Sequence, residues 1–136
     1  VISEDDFDED FGVTHLWEDV WFSSKIHSKG NKFIYSPKAV MDHFHEPGGR
    51  RTTKIFCACY IFNHFLLWNK YISKNLVSTF AYCWARICGS FGLLYRGIRN
   101  KEVKQTIKGL KLGAKWIKKY KSTGTLPDEK EIEYKG

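Results

Sequence analysis

Apolar residues recur at intervals of three and four through much of the chain, and the longest such patterns lie downstream of residue 50. Ile55, Cys59, Phe62 and Leu66 step by four, three and four, which marks one buried helical stripe. Phe56, Tyr60, Phe65 and Trp68 occupy other sides of the same segment, so a helix from Thr52 onward is apolar over much of its girth. The most regular pattern is Lys101 to Lys121. Val103, Ile107, Leu110, Ala114 and Ile117 form an apolar stripe there, and Lys104, Lys108, Lys111, Lys115 and Lys118 form a basic one a residue later. Trp116 and Leu112 flank the apolar side, while Gly109 and Gly113 weaken the helix and imply close packing against a neighbour. Between these segments, Asn75 to Tyr95 is about long enough to cross a bilayer. Arg86 sits near its centre and Ser, Thr and Gly dilute it, so the expectation is a partly buried or interfacial helix rather than a span.

Upstream the pattern is shorter-ranged. Trp17 to Gly30 reads as a helix with Phe22 and Ile26 on one side. Glu18 and Asp19 fall in its first turn, where the backbone dipole favours carboxylates, and Gly30 is a good stop. Lys32 to Tyr35 carries strand-leaning residues and is closed by Pro37; Ala39-Val40-Met41 then leads to Asp42-His43-Phe44-His45. Glu46 to Arg51 is a glycine-containing loop, and Ser122 to Gly136 has the composition of a disordered tail. These boundaries divide the chain into 1–50, 51–121 and 122–136.

Charge sharpens that division. Val1 to Asp19 holds eight acids (Glu4, Asp5, Asp6, Asp8, Glu9, Asp10, Glu18, Asp19) and no Lys or Arg. Tyr95 to Lys121 holds ten bases against Glu102 alone, which points to an anionic surface near the C-terminal part. A basic helix with an aromatic-bearing apolar edge fits adsorption to an anionic membrane; a lysine face solvated on its own domain is the plainer alternative. Nucleic acid is disfavoured as a partner, because the lysines lie in one helix without interleaved stacking aromatics. The four cysteines (Cys57, Cys59, Cys83, Cys88) lie inside apolar helical patterns and are expected to be reduced and buried, in a cytosolic setting.

Three groupings carry potential chemistry. His43 and His45 would share one face of an extended segment and could ligate a metal. Adding Cys57 and Cys59 would complete a zinc set, but positions two apart diverge on a helix. Arg50 and Arg51 suit bidentate contacts to diphosphate oxygens, with solvent-facing charges as the alternative. Asp8-Glu9-Asp10 matches a cation-holding Asp-x-Asp pattern, yet it ends no hydrophobic strand and reads more simply as a solvated acidic run.

In order along the chain, Phe7-Asp8-Glu9-Asp10-Phe11, Glu18-Asp19 leading to Lys29-Gly30, and Tyr35-Ser36-Pro37-Lys38-Ala39-Val40 leading to His43 resemble the C-terminal half of a family 2, GT-A-type glycosyltransferase. Tyr60 to Tyr71, with Asn63 and Trp68-Asn69-Lys70-Tyr71, is similar to the helical tail that follows it. The likeness covers residues 7 to about 74, and the basic helices loosely. It implies an α/β fold, the C-terminal part of a GT-A domain followed by a helical tail. It also implies an inverting transferase that moves a sugar from a nucleotide-sugar donor to a saccharide or lipid-linked acceptor with Mn²⁺ or Mg²⁺, peripheral to the cytoplasmic face of a membrane. Asp19 would be the general base, with Glu18 and Trp17 at the acceptor, His43 and His45 toward the metal, and Arg50 and Arg51 on the leaving group. Leu16-Trp17 stands where the family has an acceptor-site glycine, which leaves the acceptor class open. The sequence begins at Val1 without the nucleotide-binding half, so such a piece is expected to be inactive alone.

Overall fold

The computed structural model describes residues 16–38, 40 and 51–128, and its regular elements are four helices: α1 (Glu18–Ser28), α2 (Thr53–Tyr71), α3 (Leu76–Arg99) and α4 (Val103–Thr123). There is no β-strand among the described residues, so the α/β expectation is overturned in favour of an all-helical arrangement. Lys32 to Tyr35 has the side chains of a strand, but no strand lies beside it among the described residues. It runs as exposed coil, with Ile34 91% and Tyr35 86% exposed. Strand propensity measures fit to a pleated, half-buried surface, and none is present at this place.

α2 is the hub. Ile55, Cys59, Phe62 and Leu66 are all fully buried, as the spacing predicts, and Cys57, Ala58, Ile61, Phe65 and Leu67 on other sides are buried as well. Its N-terminus is capped by Thr52, whose hydroxyl accepts the Ile55 N–H. α4 lies along most of α2. The Trp116 ring meets Phe62 edge-on at 6.0 Å, and Tyr120 meets Phe62 and Phe65 at 6.0 and 6.1 Å. The line of closest approach is Thr106, Gly109, Gly113 and Trp116, all buried. It runs beside the expected stripe of Val103, Ile107, Leu110, Ala114 and Ile117, of which Ile107 and Ala114 are exposed. Glycine decides the shift. A methyl at Gly113 would stand 2.8 Å from the Ala58 carbonyl oxygen, and one at Gly109 would press on the Lys54 carbonyl. The two backbones therefore meet where side chains are missing.

α3 begins with reciprocal capping: the Asn75 side chain accepts the Ser78 N–H at 2.8 Å, and the Ser78 hydroxyl accepts the Asn75 N–H at 3.1 Å. A tight connection through Asn100, Lys101 and Glu102 returns the chain into α4, with the Glu102 N–H on the Gly97 carbonyl at 2.7 Å. The Thr53 hydroxyl donates to the Glu102 carboxylate, which ties this connection to the start of α2. α4 ends at Gly124, whose φ of 71° is the left-handed stop glycine accepts readily. The segment expected to be a tail from residue 122 is still engaged at Leu126, which packs on the main core.

α1 covers one end of α2. Trp21, rather than the expected Phe22 and Ile26, is its buried residue, and its ring meets Tyr71 at 5.2 Å. The fully buried Asn63 amide donates to the Leu16 carbonyl and fixes the chain where it enters α1. No helix among the described residues is long and apolar enough to cross a membrane.

Candidate functional site

The carboxylates expected to do chemistry sit where helix energetics place them. Glu18 and Asp19 are exposed in the first turn of α1, and the Asp19 Oδ1 accepts the Val20 N–H at 2.8 Å. That contact satisfies a free donor of the helix start. Trp17, expected at the acceptor, lies half-buried with its ring edge-on to Tyr60 at 5.1 Å and to His64 at 5.6 Å, so it joins α1 to α2. Arg51 is half-buried just before α2, where its charge reaches Cys59. Arg50, His43, His45 and the Asp8-Glu9-Asp10 run lie outside the described residues. Among the described residues no three His, Cys, Asp or Glu side chains gather as a metal site. Cys57 and Cys59 turn into separate core clusters, which matches the divergence expected of them.

The cysteines divide into two kinds. Cys57 and Cys59 are buried, and burial raises both thiol pKa values, Cys59 to about 11. Cys83 and Cys88 are exposed, contrary to the expectation of four buried thiols. An apolar segment does not have to turn its apolar side inward, and α3 does not.

The side of α3 that packs inward is made of Tyr82, Arg86, Gly89, Leu93 and Gly97. Tyr82 stacks on both Trp68 (4.6 Å) and His64 (4.9 Å). Arg86 donates to the Ile61 carbonyl. Gly89 lies against the Tyr60 ring, Leu93 joins Cys57 and Ile61, and Gly97 meets the Thr106 side chain. Burial lowers the pKa of His64, and the Arg86 charge lowers it further. Burial also lowers the Arg86 pKa, an effect that Tyr82 partly offsets.

The opposite side of α3 carries Leu76, Val77, Phe80, Trp84, Ile87, Phe91, Tyr95 and Ile98, each more than half exposed. At about 100° per residue these eight side chains occupy one arc of about 100°, roughly opposite Arg86 and Leu93. The length of Asn75 to Tyr95 does not reveal this; the spacing of Val77, Phe80, Trp84, Ile87, Phe91 and Tyr95 by three and four is the signal that could have found it.

α4 adds the charge. Lys104, Lys108, Lys111, Lys115 and Lys118 are all exposed, on the side opposite the Gly109–Gly113–Trp116 seam. From Lys74 to Lys121 the single acid is Glu102, and its carboxylate is held by Thr53. The described residues thus present two surfaces, one apolar on α3 and one cationic on α4, on helices joined by a three-residue connection. No protein-family model, no curated protein and no solved structure matches this chain.

Proposed function

We propose that this chain is a membrane-surface interaction module that adsorbs to anionic phospholipid through the lysine face of α4. The observation that carries the reading is the exposure of five lysines along one side of a single helix, turned away from α2, in a region whose one acid is already engaged. Each lysine near an anionic leaflet contributes about 1 kcal/mol of attraction, which fades within a Debye length of about 8 Å at physiological salt. Five together suffice for reversible binding. The anionic leaflet that suits them is the cytoplasmic one, and attachment is peripheral.

Sedimentation with phosphatidylcholine vesicles, with and without phosphatidylglycerol, tests this directly. Binding is expected only with the anionic lipid, and reversal of Lys108, Lys111 and Lys115 to Glu is expected to abolish it. Salt-sensitive binding to an oligonucleotide with none to vesicles would overturn the reading in favour of nucleic acid. Asp19→Asn is expected to leave vesicle binding unchanged. Sugar transfer from a nucleotide sugar with Mn²⁺ or Mg²⁺, present in the wild type and lost in that variant, would instead favour the transferase reading, with a glycan or lipid-linked acceptor as its partner.

A further inference from the structure

The outward face of α3 has a different character from the lysine face and calls for a different contact. Its eight large side chains expose apolar surface on the order of 1,000 Å², against a few hundred Å² for the largest patch on most monomers. No described residue covers it. We infer that α3 lies in the plane of the membrane interface and buries this face among the lipid acyl chains, an inference that rests on the membrane reading above and names the part of the lipid that α3 contacts.

Three observations favour lipid over a second copy of this chain. First, α3 contains no acidic residue, and its exposed Arg99, with Lys74 before the helix and the exposed lysines of α4 following in the chain, is complementary to an anionic leaflet. Second, the face is bordered by Ala81, Cys83, Cys88, Ser90 and Arg99, and with no acid on α3 no pairs of opposite charge are available to set the register of a helix dimer. Third, the face is rich in aromatics of both kinds: Phe80 and Phe91 to enter the hydrocarbon, Trp84 and Tyr95 with one polar atom each for the headgroup boundary. The length agrees as well. A helix of 24 residues is about 36 Å long, and lying flat it can bury every turn of the stripe.

Trp84 makes the test specific, since it is 60% exposed while Trp21 and Trp116 are buried. The full chain is mixed with phosphatidylcholine–phosphatidylglycerol vesicles whose acyl chains carry bromine, and tryptophan emission is read with Trp84→Phe as the reference. Quenching of the Trp84 signal that survives high salt is the expected result. The double variant Phe80→Asn/Phe91→Asn alters only exposed positions. It is expected to retain its circular dichroism spectrum and to partition at least tenfold less in high salt. Salt-reversible binding with Trp84 unquenched would overturn the inference while leaving α4 adsorption standing. A dimer in sedimentation equilibrium that the double variant dissociates would overturn it in favour of a second copy. No vesicle binding at any salt would remove both this inference and the reading on which it rests.

Discussion

Gly109 of α4 lies directly against the backbone carbonyl of Lys54 in α2, with the Cys57 side chain beside it, and leaves no room for a methyl group. An ordinary helix-interior glycine gains up to about 1 kcal/mol when replaced by alanine. Gly109→Ala is expected to reverse that sign and destabilise by about 1–3 kcal/mol, because both helices must separate to admit the new atom. Gly92, exposed on α3 with nothing within 4 Å of its would-be Cβ, is the control and should become more stable by up to about 1 kcal/mol as alanine. Urea denaturation of the two variants checks the contrast.

The stack of Tyr82 on His64 and Trp68 links stability to pH. The folded-state pKa of His64 lies below the ordinary 6.5, so between the two values the unfolded chain binds more protons. The stabilisation from neutral His64 is complete above pH 6.5 and is lost as pH falls through the lower folded value. Urea midpoints measured from about pH 8 down to about pH 5 should therefore hold steady to about pH 6.5 and decline below it, and His64→Phe should flatten the decline. The groups facing the imidazole are Arg86 and Tyr82 of α3, with the Trp17 ring from the start of α1.

Much of the helical plan is legible in the residues themselves. The stripe Ile55, Cys59, Phe62, Leu66 is fully buried, and the start of α1 at the Glu18-Asp19 pair, with its stop near Gly30, follows the residues that favour those ends. What was not legible has physical causes. The strand at Lys32–Tyr35 needed a partner strand, which four letters of local preference do not supply. The α4 seam moved onto Gly109 and Gly113 because absent side chains allow backbone approach, whereas apolar periodicity follows only the side chains that are there. Apolar neighbours in sequence do not place Cys83 and Cys88 inside. α3 instead packs with Tyr82, Arg86 and Gly89 and turns its apolar arc outward.

That division of thiols can be read chemically. In the native protein Cys83 and Cys88 should react with a small alkylating reagent within minutes, while Cys57 and Cys59 stay protected, Cys59 by both burial and a pKa of about 11. Denaturation should expose all four cysteines. Peptide mapping after brief labelling distinguishes the sites.

The reciprocal bonds of Asn75 and Ser78 hold the first turn of α3, where Leu76 and Val77 gain nothing from packing. Asn75→Ala is expected to cost about 0.5–2 kcal/mol in the stability of that end. Hydrogen exchange at the Ser78 and Thr79 amides should speed up well before exchange in α2 changes, because Thr79 also donates to the Asn75 carbonyl.

The position of α2 at the hub has a consequence for how the chain is made. The helix is apolar on nearly every side, and its principal cover, α4, is encoded some fifty residues later, as the contact of Gly113 with Ala58 shows. At a synthesis rate of about 5–20 residues per second, α2 waits roughly 3–10 s for that cover. During this interval it is the segment of the nascent chain with most reason to be held by a chaperone. Truncation before Val103 would make the wait permanent, so chains ending there should accumulate as aggregates rather than as a smaller folded form.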